Sequence, residues 1–178
     1  MEDTDSPLKV VIFTGLPGTG KSTLAEQVAR TIGAPAFAGD WLMGGLAPAH
    51  AALARLDRAD YLAAWLGLLR TLVTRQLMLG QSAVVDDVVS DSQVGLWRET
   101  ASRFSARLFF VECVCSDASV HRARIEGRTR GIPGWHEVGW DHVKRMQAEV
   151  LPLTVDRLTV DAMEPVRDNL RRVEDYIA

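Results

Sequence analysis

A chain of 178 residues, 47% apolar and 24% charged, is long enough for one domain with a substantial core. A net charge of −3 and a pI of about 5.8 give no support for a broad nucleic-acid-binding face. No apolar run is long enough to span a bilayer, and the acidic, polar start from Met1 to Pro7 does not have the form of a secretory signal. These features lead us to expect a single domain over residues 1–178, cytoplasmic and off the membrane, with a short disordered lead-in. Oligomeric state is not readable.

In chain order, Lys9-Val10-Val11-Ile12-Phe13 reads as a buried strand. Gly15-Leu16-Pro17-Gly18-Thr19-Gly20-Lys21-Ser22 follows, a complete G-x-x-x-x-G-K-[ST] phosphate loop. A helix comes next, with Leu24, Ala25, Val28, Ala29 and Ile32 on one face. Residues 34–40 read as a short second strand closed by Asp40. Residues 47–57 predict a short helix and 60–79 a long one, ended by Gly80 as its cap. The long helix carries Leu62, Trp65, Leu66, Leu69, Leu72, Val73 and Leu77 at helical spacing. A third strand, Ser82 to Val85, is closed by Asp86-Asp87. Residues 92–104 predict a helix and Arg107 to Cys115 a fourth strand. Residues 117–128 read as an arginine-rich helix, 129–139 as a Gly/Pro/Trp loop and 140–150 as another helix. Arg157 to Val160 is a short fifth strand, and 165–177 a closing helix.

Strands this apolar need cover on both faces, and the intervening helices supply it. Right-handed crossovers then give an α/β fold: a doubly wound, five-stranded parallel sheet with helices on both faces and a helical lid over roughly residues 124–150. Ligands in such sheets sit beyond the carboxyl ends of the strands, where the glycine loop, Asp40 and Asp86 should gather. The helical region 41–79 would frame the acceptor side.

The chemistry follows from the residue types. Backbone amides of the loop and the positive end of the following helix suit a polyphosphate. Gly15, Pro17, Gly18, Thr19, Gly20, Lys21, Ser22 and Thr23 form the expected binding segment. Lys21 would set its ammonium between the β- and γ-phosphates, and the Ser22 hydroxyl would ligate Mg²⁺. Asp86 would hold the same ion through water, with Asp87 as its rival because alternation lets only one of the pair face inward. Asp40 would take a proton from an acceptor hydroxyl or orient it; the alternative is an N-cap for a following turn. Trp41, Tyr61 and Trp65 could line an acceptor pocket, although Trp65 also fits the core stripe of its helix. Arg124 and Arg128, four apart, would share a helix face and serve adenine stacking and phosphate contact; a solvated basic face is the plainer alternative. Trp135 and Trp140 would belong to a mobile cover or to a static packed loop. His121, His136 and His142 show no ligand spacing. Cys113 and Cys115, at i and i+2 of one strand, suit neither a disulfide nor a metal.

With these motifs the chain resembles the P-loop small-molecule kinases, within the group that includes adenylate, shikimate and gluconate kinases, from about Lys9 to Ile177. Arg124-Ile125-Glu126-Gly127-Arg128 is similar to the lid-start arginines of adenylate kinases; by that likeness Arg124 would stack on adenine and Arg128 contact phosphate. Asp40 and Asp86-Asp87-Val88 are most similar to positions of the chloramphenicol phosphotransferases, where an aspartate after the second strand acts as base. The match is looser in the Gly131–Trp135 lid and over residues 42–60. The resemblance implies ATP, Mg²⁺ and phosphoryl transfer to a hydroxyl of a small molecule. Two other functions share the fold: a polynucleotide or nucleotide kinase, which the acidic balance disfavours, and a non-enzymatic nucleotide switch.

Overall fold

Alternation in the first strand divides the core into two layers. In a computed structural model, which describes residues 7–150 and 153–178, β1 spans Lys9–Thr14. Val10 and Ile12 face one side of the sheet, Val11 and Phe13 the other, and all four are fully buried. The remaining strands are β2 (Ala36–Ala38), β3 (Ala83–Asp86), β4 (Arg107–Val114) and β5 (Leu158–Asp161). They form one parallel sheet in the order β2-β3-β1-β4-β5. The helices are α1 (Lys21–Thr31), α2 (Gly39–Gly45), α3 (His50–Leu53), α4 (Arg58–Met78), α5 (Asp91–Ser102), α6 (Ala118–Glu126), α7 (Trp140–Glu149) and α8 (Val166–Ile177). α4 and α5 cover the face carrying Val10, through Leu69, Val73, Val94 and Trp97. α1 and α8 cover the other, through Leu24, Val28, Val173 and Ile177. This is the doubly wound sheet read from the sequence. Among the described residues, no helix is long and apolar enough to cross a membrane. Most of the expected lead-in lies outside the described residues.

Local chemistry sets the element ends. Asp57 caps α4, its Oδ1 accepting from Asp60 N at 2.8 Å, so the helix starts two residues before the expected residue 60. Gly80 closes it in a left-handed conformation, with Gln81 N and Gly80 N donating back to Gln76 O and Leu77 O. A reciprocal Ser90–Gln93 capping box starts α5.

Three expectations need correction. β2 ends at Ala38, and Asp40 lies in the first turn of a helix, α2, that the sequence pattern did not reveal. Its three glycines and short span hide the apolar period. The helix expected over 47–57 is instead a 3-10 turn at Ala47–Ala49 followed by the single-turn α3, because Pro48 interrupts the helical ladder. α6 stops at Glu126, so Arg128 stands in the loop beyond it and shares no helix face with Arg124.

Trp97 is fully buried, and its Nε1–H has no hydrogen-bond partner among the described residues. Trp97→Ala is expected to lower unfolding free energy by about 3–5 kcal/mol. Trp97→Phe should cost much less, because the phenyl ring leaves a far smaller cavity while the unsatisfied donor is lost as well. Denaturant titration followed by circular dichroism checks both.

Candidate functional site

Strand register assembles the site. Phe13 of β1 pairs with Asp86 of β3, and Ala38 of β2 pairs with the same Asp86. The glycine loop, Asp86 and the start of α2 therefore meet at one edge of the sheet. Asp87 N donates to Phe13 O, and Val89 N to Thr14 Oγ1, which ties the segment after β3 to the strand that feeds the loop.

The loop has a defined internal frame. Gly15, Gly18 and Gly20 all have positive φ. A Cβ at Gly15 would lie 2.1 Å from Cys113 O, so only glycine lets the loop leave β1 against the backbone of β4. Leu16 O accepts from Thr19 Oγ1 at 2.8 Å and from Lys21 Nζ at 3.1 Å, which folds the ammonium over the loop. Gly20 is the N-cap of α1, and no acidic residue occupies that helix's first turn. The N-terminal amides and the helix dipole thus meet no carboxylate from the helix's own first turn.

A cavity of about 1160 Å³ runs from this loop across the sheet edge to α4 and α7. Pro17, Gly18, Gly20, Lys21, Ser22, Thr23, Asp40, Asp86, Arg124 and Arg128 all line it. Two expected binding residues do not: Gly15 packs against β4, and Thr19, buried, turns inward to Leu16 O. Asp86 and Asp87 both reach the cavity wall, so the expected choice of one inward-facing acid fails where β3 ends at Asp86 and alternation stops.

Arg128 is an uncommitted cation beside the glycine loop. Its Nε and Nη2 are buried without a partner among the described residues, and burial, then the Arg130 charge, lower its pKa. Buried donors of this kind suit phosphate oxygens. Arg124 is held by its Nη2, which donates to Ala162 O at 2.8 Å, beside a smaller pocket of about 230 Å³ that Thr23, Ala162 and Asn169 also line. Asp40 is ion-paired to Arg130. The sequence reading passed over Arg130, although it stands in the same arginine run.

The far half of the cavity is aromatic. Trp65 and Trp135 pack edge to face with centroids 5.6 Å apart, and Tyr61 packs on Trp65 at 6.0 Å. Trp65 is more than a core residue: its Nε1–H donates to Asp87 Oδ2 at 2.9 Å. Trp135, from the loop between α6 and α7, packs on a wall residue and so acts as part of that wall. α7 adds His142, Arg145 and Met146, and α4 adds Arg58 and Leu62. Burial, then the charges of Arg145 and His136, lower the His142 pKa and favour its neutral form.

The residues fit a magnesium nucleotide. The cradle, the unopposed helix end and the orphaned Arg128 donors suit polyphosphate. Among the described residues no three His, Cys, Asp or Glu side chains cluster as a metal cage. Mg²⁺ needs none; one carboxylate, here Asp86, a hydroxyl, here Ser22, and phosphate oxygens suffice.

These features define a phosphate-loop α/β protein with the fold of the nucleotide-dependent small-molecule kinases. The family profile described as AAA domain matches residues 10–153, and the chain belongs to that family. Solved structures share the fold across nearly the whole chain. A sugar kinase from Janibacter sp. HTCC2649 has a TM-score of 0.71 at 19% identity, covering 97% of this chain and 96% of that one. A gluconokinase from Sinorhizobium meliloti 1021 has a TM-score of 0.67 at 21% identity, covering 96% and 95%. The Mycobacterium tuberculosis APS kinase CysC in complex with AMPPNP and APS has a TM-score of 0.64 at 21% identity, covering 95% and 96%. No curated protein sequence matches significantly.

Burial pushes the Asp87 carboxyl up to about 7, with the Val88 amide and Trp65 opposing the rise and Asp86 and Asp40 adding to it. The folded state therefore binds the proton more tightly than the unfolded chain, whose carboxyl titrates near the ordinary value of 3.8. Stability should fall as pH rises between these two values. Asp87→Asn, which still accepts from Trp65, should exceed the wild type in stability by roughly 1–3 kcal/mol above pH 7 and lose that advantage below pH 4. Paired denaturation curves across pH, without added metal, measure this.

Proposed function

We propose that the protein is an ATP- and Mg²⁺-dependent phosphotransferase that moves the γ-phosphoryl group to a hydroxyl of a small molecule. The observation that carries this reading is the single cavity joining Lys21, Ser22, Asp86 and the unpartnered Arg128 to an aromatic half large enough for an acceptor. The neighbours named as sugar kinase, gluconokinase and APS kinase support it through shared fold.

Bound MgATP would supply the phosphoryl group and leave as ADP. The loop amides and Lys21 bind the phosphates and offset charge that builds during transfer. Ser22 and Asp86 hold the metal. Arg128 directs its free donors at the phosphoryl oxygens. Arg124, anchored to Ala162 O, presents its guanidinium plane to a base lying toward the smaller pocket.

Asp40 acts on the acceptor. Its pairing with Arg130 aims it, so it orients the hydroxyl and accepts its proton as the new P–O bond forms. Tyr61, Trp65 and Trp135 exclude water around that hydroxyl, which suppresses hydrolysis. The Arg58–Glu149 ion pair, 2.7 Å long, bridges α4 and α7 at the rim and favours a compact acceptor over a polymer end.

An ADP-release screen with MgATP and a panel of alcohols, sugars, aminoglycosides, nucleosides and phenicols tests the reading; no acceptor-dependent release would support a switch instead. Lys21→Ala should abolish turnover with an unchanged circular dichroism spectrum, and wild-type turnover in that variant would remove the loop from the mechanism. Asp40→Asn should leave MgATP affinity near normal and slow transfer by roughly two to four orders of magnitude. Lost ATP affinity would move Asp40 to the nucleotide site.

A further inference from the structure

His121 has no part in the chemistry described above, yet it is 4% exposed in a helix that packs behind the phosphate loop. Its Nε2 lies 2.7 Å from Pro17 O. A carbonyl only accepts, so Nε2 carries the proton and donates. The imidazole edge also limits the loop sterically: a Cβ at Gly18 would lie 3.2 Å from His121 Cδ2 and 2.7 Å from Ile125 Cδ1. α6 is itself anchored, because Asp117 Oδ1 caps it by accepting from Ser119 N and Val120 N at 2.8 and 3.0 Å. On its other side the His121 ring meets Trp140 edge to face, with centroids 5.2 Å apart. Trp140 is the first residue of α7, and the segment between α6 and α7 carries Arg128 and Arg130.

We propose that His121 is a positioning residue: through Pro17 O it holds the phosphate loop in its nucleotide-binding shape, and through Trp140 it links that shape to the seating of the arginine-bearing segment. This deepens the phosphotransferase reading and rests on it. The Pro17 carbonyl takes its hydrogen bond from α6. If its donor is lost, a part-buried acceptor is left unsatisfied and the loop can relax, moving the amides that grip phosphate. The second contact gives the segment bearing Arg128 a mechanical connection to the same loop. How firmly the nucleotide is held then depends on how α7 seats against α6.

The test is calorimetric titration of MgATP together with steady-state kinetics. His121→Leu, which keeps bulk but loses the donor, should weaken MgATP binding roughly tenfold. It should raise KM for ATP in step while leaving kcat and the acceptor KM within about threefold, a split that general loss of structure does not produce. His121→Gln, whose amide reaches nearly as far as Nε2, should recover affinity to within about threefold of wild type. Trp140→Leu should weaken binding less, and the double variant should fall short of the sum of the two effects. Wild-type affinity in His121→Leu, or equal losses in the leucine and glutamine variants, would overturn the inference while leaving the phosphotransferase reading intact. Additive effects at His121 and Trp140 would overturn the link to α7. A wild-type protein that gives no heat with MgATP would remove the underlying reading and this inference together. If His121→Leu does not fold, His121→Asn, too short to reach Pro17 O, makes the same comparison against His121→Gln.

Discussion

The register of three parallel strands determines most of what this molecule can do. Phe13, Asp86 and Ala38 lie side by side across β1, β3 and β2, so three chain segments far apart in sequence end at one level. Just past that level stand Gly15, Asp87 and Asp40. A slip of one residue between β1 and β3 would turn Asp86 into the opposite layer and bring a valine to the loop. The register is enforced from both faces. Val10 and Ile12 are locked against α4 and α5, Val11 and Phe13 against α1 and α8, and none of the four side chains keeps any exposure. The hydrophobic layers therefore set the level at which the acids stand, and polar contacts such as Asp40–Arg130 and Trp65–Asp87 then fix their side chains.

The parts of the structure legible in sequence were those written in local, periodic or motif form. β1, the glycine loop and α1 could be read because a buried run, a fixed glycine spacing and a 3.6-residue stripe are each visible in a short window. The strand-end position of Asp86 followed from the apolar run before it. α2 was hidden because Gly39, Gly44 and Gly45 carry no apolar signal, so Asp40 looked like the end of a strand. The Asp40–Arg130 pair spans 90 residues, and the Trp65–Asp87 bond joins a helix to the end of a strand. Neither leaves a trace in spacing. Trp65 also satisfied the core stripe of α4, and that correct observation concealed its second role. Arg128 was expected on the face of α6; Gly127 ends the helix first, and the side chain reaches the cavity from a loop.

The distribution of charge separates the two halves of the cavity. Beside the glycine loop, the first turn of α1 has no acid, and Arg128 keeps buried donors without partners among the described residues. In the aromatic half, Arg130 is paired with Asp40, Arg58 with Glu149, and His142 is driven toward its neutral form. What remains is Arg145 of α7 beside a wall of Tyr61, Trp65 and Trp135, with Asp87 fixing the Trp65 indole.

That partition also bears on how water is kept from the transferring group. A carboxylate next to a phosphoryl donor is a hazard, since it can orient water as readily as an alcohol. Pairing Asp40 with Arg130 restrains the carboxylate, and in the proposed reaction an acceptor packed on the aromatic wall would take the volume a water needs. Arg130 comes from the same segment as Arg128, so the residue proposed to contact phosphate and the one that pairs with Asp40 are carried by one stretch of backbone. In the proposed phosphotransferase, an acceptor that displaced that stretch would lose the restraint on Asp40 and the phosphate contact together. Selectivity for the acceptor would then arise from a shared backbone segment as well as from the wall itself.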